Sequence, residues 1–234
     1  YIGDWEKMTE RMGFWVNLDE AYYTLDNGFI ESVWNLLQTI WDKGLIYQGY
    51  KVVPYDPRIG ATLSSHELAL GYKETEDPSI TVRFPVAGEA DTYFLVWTTT
   101  PWTLPSNLAL AVGTDIDYSY CTADGQTLIV AEALREKVFR DIEHDVVKTV
   151  KGSDLVGTRY TRLFDYLDVD APNAFQVLAA DFVSTEDGTG IVHTAPAYGV
   201  DDLALGQAND LPVVHGVGLD GHFVDAVEPV AGLF

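Results

Sequence analysis

The segment from Tyr93 to Asn107 constrains the fold of this chain more than any other. It begins with an unbroken run of aromatic and branched side chains up to Trp97, which predicts a β-strand. Three threonines follow, and then Pro101 and Pro105, which exclude a regular ladder or a helix interior because they lack an amide hydrogen. The segment therefore predicts a strand that ends at a sheet rim and presents hydroxyl groups from a stiff loop, where functional groups commonly lie.

A second segment, Gly188–Asp202, supplies different candidate side chains. We predict a short strand over residues 190–195 that contains His193, followed by a helix from Asp202 to about Ala208. Together the two segments offer hydroxyls, an imidazole, a carboxylate and an amide. That inventory suits the binding or hydrolysis of a small polar group, and we predict no metal site.

The N-terminal part of the chain differs in character from the rest. Apolar side chains recur at helical spacing between Phe29 and Trp41, with Asp26 or Asn27 as a candidate cap and Gly44 as the end of the helix. We expect this helix to pack against a strand near residues 45–53.

From about Asp77 onward, short apolar segments alternate with turn signals. Many short strands with few helices predict an α+β fold in which the sheet closes, or nearly closes, into a barrel. A hairpin turn is predicted at 123–126 and a helix over 131–141. The predicted strands are 79–84, 92–98, 116–122, 127–131, 146–151, 174–180, 190–194 and 213–217.

Composition indicates a globular protein, with 47% hydrophobic residues and a mean hydropathy of +0.01. No long apolar run or basic leader is present, so we expect no membrane span and no signal peptide. Cys121 is the single cysteine and cannot form an internal disulfide, which fits the cytoplasm. Because the chain begins with Tyr1 rather than Met, we expect it to be an excised piece.

The net charge of −22 opposes a role in binding nucleic acid, because contacts to phosphate need lysine and arginine. Half of the basic residues lie between Arg135 and Arg162, but acidic residues are interleaved with them. Solvated helix and strand faces are the favoured interpretation of this stretch. A single-stranded 3′ end could still be held by stacking and hydroxyl contacts.

The residues Trp97–Asn107 (WTTTPWTLPSN) and Gly188–Pro196 (GTGIVHTAP) resemble the editing domain, or connective peptide 1, of isoleucyl-tRNA synthetase. The resemblance covers nearly the whole chain. Leucyl and valyl relatives carry an arginine before the proline where this chain has Thr100. Further matching segments are Gly3–Glu6, Arg11–Trp15, Glu31–Trp34, Lys43–Tyr47 and Leu63–Glu67.

This resemblance implies a β-barrel core decorated with helices. Residues 1–70 would form a mainly helical connecting segment that leads into the insert, and residues 71–234 would form the β-barrel editing domain. Relatives often carry a Cys-x-x-Cys pair where this chain has Asp56 and Ile59, so we expect no zinc. The signatures for ATP activation are missing, so ATP and magnesium belong to the parent enzyme and no cofactor to this fragment.

The site residues carried over from the family are of two kinds. Catalytic roles fall to Thr98, Thr99, Thr100 and Asp202, and substrate-binding roles to Trp102, Asn107 and His193. Because side chains alternate along a strand, at most two of the three threonines enter one pocket unless the strand breaks.

Each assignment competes with an ordinary structural role. Asp202 would pair with the substrate's α-ammonium group, while Asp201 would cap the helix. His193 would limit the amino-acid side chain without acting as a base. Trp102 is either a pocket wall or a core residue, and Asn107 either binds ribose or adenine or caps a turn.

The predicted function is post-transfer editing, in which the aminoacyl ester of mischarged valyl-tRNA(Ile) is hydrolysed. One methylene is worth only about 1–3 kcal/mol in a pocket, and isoleucyl-tRNA synthetase is the usual example of this limit on discrimination. The alternative is a non-catalytic insert that binds the tRNA 3′ end and is weakly active or inactive alone. A serine or thiol esterase is disfavoured, since Ser106 lies in no Gly-x-Ser-x-Gly elbow. Expected partners are the valine-carrying 3′ end of tRNA(Ile) and the rest of the synthetase, with a monomeric state.

Overall fold

The computed structural model describes all 234 residues and divides them into two compact units, Tyr1–Tyr50 and Lys51–Phe234. This division falls earlier in the chain than the boundary expected near residue 70. No helix is both long enough and apolar enough to cross a membrane.

The first unit contains helices α1 (Ile2–Arg11) and α2 (Asn27–Asp42). Asp26 is the N-cap residue of α2, and Gly44 adopts a positive φ of 69° just after the helix, as the sequence predicted. No residue of α2 is buried, and residues 45–53 form no strand. The expected packing of the helix on a strand is therefore wrong: the apolar side chains of α2 remain partly exposed.

The second unit begins with a small hairpin, β1 (Tyr55–Asp56) and β2 (Ala61–Thr62), followed by helix α3 (Ser65–Gly71). A capping box fixes the start of α3, because Ser64 and Glu67 exchange hydrogen bonds between side chain and backbone.

A five-stranded sheet with the order β3-β4-β7-β6-β8 follows. Only the β4–β7 pair is parallel. Asp124 and Gly125 both have positive φ in the predicted hairpin turn between β6 and β7, which is the conformation that a type I′ turn needs. The strands are β3 (Ile80–Pro85), β4 (Thr92–Thr98), β6 (Asp117–Ala123), β7 (Gln126–Ala131) and β8 (Asp145–Lys151).

A separate three-stranded sheet has the order β10-β5-β9. Its strands are β5 (Ala109–Val112), β9 (Gln176–Ala179) and β10 (Val192–Thr194). The α+β class is confirmed, but the predicted closed or nearly closed barrel is wrong, since two open sheets form. Pro101–Ser106 adopts a 3-10 helix between β4 and β5, and its two prolines offer no amide hydrogen with which a single ladder could continue.

Three short helices complete the fold: α4 (Arg135–Phe139), α5 (Gly152–Leu155) and α6 (Val200–Ala208). Two further 3-10 turns lie at Glu132–Leu134 and Glu228–Val230. The helix predicted over 131–141 is thus interrupted and shorter. The strand predicted at 213–217 does not form, and this stretch contributes one isolated bridge, between Val217 and Phe223.

One hydrophobic core unites the two sheets. Phe84, Phe94 and Ile129 of the larger sheet are fully buried, and they belong to the same cluster as Leu110 and Val177 of the smaller one. Burial of each such side chain contributes about 1.5–3 kcal/mol, so the sheets are held together firmly. The backbone amide of Leu108 donates to the carbonyl of Thr194 at 3.0 Å. The end of β10 is thereby fixed beside the loop that follows β4.

Candidate functional site

A cavity of about 280 Å³ lies where β4 ends, beside β10 and the start of α6. It brings together six of the seven residues predicted for the site, from segments about a hundred positions apart in the chain. The predicted residues in its lining are Thr98, Thr99, Thr100, Trp102, His193 and Asp202, and the others are Trp97, Thr103, Val192, Ala195 and Tyr198.

All three threonines line the cavity, which alternation along a continuous strand would forbid. The strand ends at Thr98, so the next two residues are released from the pleat. The hydroxyl oxygen of Thr98 accepts from the backbone amide of Thr100 at 3.1 Å and lies 3.3 Å from the Thr100 hydroxyl. The loop thus holds two hydroxyl groups side by side at the cavity.

Asp202 lies in the first turn of α6, where the positive end of the helix dipole favours a carboxylate. Its Oδ1 accepts a hydrogen bond from the backbone amide of Ala195 at 2.7 Å, which fixes the carboxylate toward the cavity. Burial raises the pKa of Asp202 above its usual value, and the Ala195 amide opposes that rise. The lining contains no lysine or arginine, so an ammonium group of a ligand would find this carboxylate free of a competing cation.

The N-cap of α6 is Gly199 rather than Asp201, so the predicted capping role of Asp201 is wrong. Gly199 has an extended backbone (φ −139°), which any residue can adopt. A Cβ atom at this position would overlap Oδ2 of Asp202. Glycine at this position lets the carboxylate approach the backbone, and a Cβ atom would displace that carboxylate.

Gly199→Ala is expected to leave the fold intact and displace the Asp202 carboxylate. A displacement of about 1 Å from a productive geometry can cost up to about 100-fold in rate. If the cavity performs the ester hydrolysis expected from the sequence, Gly199→Ala should therefore lose at least tenfold of that activity. Melting temperature and single-turnover hydrolysis would be measured in parallel. Val200→Ala is the matched control, since Val200 is exposed and does not line the cavity. Undiminished hydrolysis in Gly199→Ala would contradict this role.

His193 forms one wall of the cavity and is 7% exposed. Its Nε2 lies 2.6 Å from the Thr103 hydroxyl and its Nδ1 lies 3.1 Å from Nδ2 of Asn107. Burial lowers the pKa of His193 to about 4, so the imidazole is neutral near pH 7. Both ring nitrogens are thus engaged within the protein, and neither is free to bond to a molecule in the cavity.

Asn107 is the one predicted site residue that does not line the cavity. It lies behind His193, where its Nδ2 donates to the carbonyl of Ala109 at 2.9 Å and its Oδ1 accepts from the Tyr160 hydroxyl at 2.6 Å. This differs from the prediction that Asn107 binds substrate directly. All its polar side-chain atoms are already engaged within the protein.

Aromatic side chains form the outer wall. Trp102 is 45% exposed, so it is a cavity residue and not a core residue. Its ring packs edge-on against Tyr198, with centroids 5.1 Å apart. Tyr198 is held in turn, because its hydroxyl accepts from the backbone amides of Gly216 and Val217.

Thr103 and Tyr198 are the lining residues that bear hydroxyl groups and were missed from the sequence. Thr103 lies inside the proline-flanked segment, but its contact with His193 depends on the placement of β10 beside β5. Tyr198 lies in an irregular turn, where no periodic pattern indicates a side-chain direction.

A larger depression of about 490 Å³ lies elsewhere, lined by Gly218, Asp220, His222, Asp225 and neighbours. It contains none of the predicted site residues and opens widely to solvent. Its Asp220 and His222 pair with each other at 3.3 Å. Of these two cavities, only the smaller combines hydroxyls, a carboxylate and a buried wall, so we take it as the candidate functional site.

Comparisons with known proteins agree on one family. A family model described as "tRNA synthetases class I (I, L, M and V)" matches residues 1–193. The isoleucine–tRNA ligase of Clostridium novyi is 50% identical over 234 residues, which is all of this chain and 22% of that protein. That of Picrophilus torridus is 45% identical over the same length and share. The chain thus spans about a fifth of the length of these curated relatives.

Solved structures give weaker matches. The editing domain of the cytosolic leucyl-tRNA synthetase of P. knowlesi has a TM-score of 0.47 and 14% identity, over 56% of this chain and 62% of that one. A structure titled GlLeuRS-CP1 has a TM-score of 0.42 and 17% identity, over 51% of this chain and 54% of that one.

Proposed function

The chain belongs to the class I tRNA synthetases (I, L, M and V), and we propose that it is an editing module that hydrolyses the aminoacyl ester of valyl-tRNA(Ile). The observation that carries the proposal is the single cavity shared by the threonine hydroxyls, the Asp202 carboxylate and the buried His193 wall.

Asp202 would bind the α-ammonium group of the esterified amino acid. A carboxylate pairs strongly with a cation where little water is present, and this one already faces the cavity. Thr98, Thr99 and Thr100 would bind the terminal ribose and a water, since a hydroxyl both donates and accepts. Trp102 offers an exposed ring on which a nucleobase of the single-stranded 3′ end could stack.

The chemical step requires only positioning of the reactants, because an ester is already activated. Water adds to the carbonyl carbon, the bond to the ribose oxygen breaks, and valine and the free terminal hydroxyl are released. Hydroxyl donors aimed at the developing oxyanion lower the barrier. No cofactor is needed for this step, and we assign ATP and magnesium to the parent enzyme.

Selectivity would come from the buried His193 wall of the cavity. A pocket that fits valine tightly excludes isoleucine, because there is no room for the extra methylene. Forcing that methylene in costs more free energy than a larger pocket loses when the methylene is missing. We therefore expect valyl-tRNA(Ile) to be hydrolysed and isoleucyl-tRNA(Ile) to be spared, both by this chain and by its parent synthetase. Equal rates of hydrolysis of the two esters would refute this selection by side-chain size.

A second function, a non-catalytic insert that binds the tRNA 3′ end, is favoured by one observation. Both ring nitrogens of His193 are engaged, so no imidazole in the cavity is free to activate water. The two functions predict opposite effects on the lifetime of the valyl ester. In the presence of excess protein, a binding insert would slow the spontaneous hydrolysis of the ester, whereas an editing module would accelerate its hydrolysis.

The other proposals concern the surroundings of the chain. We propose the 3′ end of tRNA(Ile) and the rest of the synthetase as partners, with a monomeric chain in the cytoplasm. The net charge of −22 limits affinity for tRNA phosphates, so turnover by the separate chain is expected to be low.

A further inference from the structure

A continuous chain of hydrogen bonds runs from the core to the cavity wall. It starts at the Tyr160 hydroxyl, 2.6 Å from Oδ1 of Asn107. It continues from Nδ2 of Asn107 to Nδ1 of His193 at 3.1 Å, and from Nε2 of His193 to the Thr103 hydroxyl at 2.6 Å. It ends where that hydroxyl lies 2.8 Å from the carbonyl oxygen of Thr100.

The direction of every bond in this chain is determined by partners that can only accept. The carbonyl of Ala109 can only accept, so the Asn107 atom 2.9 Å from it is the amide nitrogen. The same amide nitrogen lies beside His193 Nδ1 and can only donate, so His193 Nδ1 accepts the second amide hydrogen of Asn107. The single proton of the neutral imidazole is then on Nε2. It points to Thr103, whose own hydrogen goes to the Thr100 carbonyl.

We propose that Tyr160 is a positioning residue that fixes the Nε2–H tautomer of His193 through Asn107, and so holds the wall that limits the amino-acid side chain. The last step rests on the proposed function. The tautomer can be measured in the protein without substrate, so the tautomer and the proposed function can be tested separately.

The surroundings of Tyr160 suit this role. The residue is 3% exposed, and its ring packs edge-on against Phe84 and Phe175, so the hydroxyl cannot swing away. Burial raises the pKa of Tyr160 well above its usual value, which keeps it a donor at all pH values of interest. Without this donor, Oδ1 of Asn107 would be buried and unsatisfied, and only the Ala109 carbonyl would still oppose reorientation of the amide.

The first test is nitrogen NMR of the 234-residue chain with labelled histidine. Protonated and unprotonated imidazole nitrogens differ widely in chemical shift, and the His193 signals are assigned by their loss in His193→Gln. We expect Nε2 protonated and Nδ1 unprotonated throughout pH 5–8. A proton on Nδ1, or a charged ring at pH 6, would overturn the proposal.

The second test compares two buried tyrosines. In Tyr160→Phe we expect a measurable population of the Nδ1–H tautomer, and a ratio of valyl to isoleucyl ester hydrolysis that falls by about threefold to tenfold. Tyr118→Phe is the matched control, because its buried hydroxyl donates to the Gly190 carbonyl and takes no part in the chain to His193. An unchanged tautomer in Tyr160→Phe, or an equal change in Tyr118→Phe, would overturn the proposal.

A third variant keeps the proposal testable if Tyr160→Phe does not fold. In Asn107→Asp the amide donor becomes a carboxylate that can only accept, so the His193 proton should move to Nδ1 and the imidazole pKa should rise. Retention of the Nε2–H tautomer would show that Asn107 does not transmit the constraint, and the proposal would fall.

Discussion

Replacing Asp202 by alanine is expected to reduce hydrolysis of the valyl ester by about 100- to 1,000-fold, since removal of one member of a buried charge pair costs several kcal/mol. The loss should appear in single-turnover deacylation of valyl-tRNA(Ile). The fold should survive, because the side chain makes one hydrogen bond to the backbone, to Ala195, and belongs to no hydrophobic cluster.

Two variants separate charge from shape. Asp202→Asn keeps the size of the side chain but removes the negative charge, so it should lose nearly as much activity as the alanine variant. Asp201→Ala removes an equal charge from the same helical turn, but Asp201 is exposed and outside the cavity, so activity should be retained. Full activity of Asp202→Ala would leave the binding insert as the better account.

The same carboxylate is expected to make the proposed hydrolysis slower at low pH. Burial raises the pKa of Asp202, so it is protonated at a higher pH than an exposed aspartate, and ammonium binding is lost as the pH falls through that pKa. The neighbouring charge of Asp201 contributes to the rise. In Asp201→Ala this decrease in rate should therefore occur at lower pH.

The predicted strands were accurate where a periodic pattern and a terminator occurred together. Strand β4 has the predicted bounds, because its apolar run is ended by threonines and Pro101. Strand β5 was missed, since four small and apolar residues after a proline loop give little pattern. The strand predicted at 213–217 does not form for a local reason. The amide of Gly216 donates to the hydroxyls of Ser106 and Tyr198, and the amide of Val217 donates to the hydroxyl of Tyr198, so neither amide is available to a β-ladder.

The prediction that the two distant segments meet in one site came from the family resemblance and not from the hydrophobic periodicity of the sequence. The relation to isoleucyl-tRNA synthetase, predicted from residues 97–107, 188–196 and shorter segments, is confirmed by relatives that match the whole chain and by a family model that matches residues 1–193. The hydrogen bonds behind the cavity could not be predicted, because they require the register of β10 on β5 and the approach of Tyr160 from a third segment. Asn107 illustrates the limit, since its motif marked it as important but gave no side-chain direction.

Replacing His193 by alanine is expected to change selectivity more than rate. The imidazole is a buried wall with both nitrogens engaged, so its removal opens space in the cavity without removing a base. One additional methylene then fits, and we expect hydrolysis of isoleucyl-tRNA(Ile) to rise by about 10- to 100-fold while valyl ester hydrolysis changes by less than about tenfold.

Thr194→Ala is the control for this variant. Thr194 is fully buried and adjacent on β10, but it points away from the cavity and is not part of its lining. Its hydroxyl has no partner, so its loss should cost little stability and leave selectivity unchanged. Deacylation of both esters would be measured beside thermal unfolding, because His193→Ala also removes one hydrogen-bond partner from each of Thr103 and Asn107. If isoleucyl-tRNA(Ile) stayed resistant in a folded His193→Ala, the limit on side-chain size would have to come from another wall, of which Val192 and Tyr198 are the candidates.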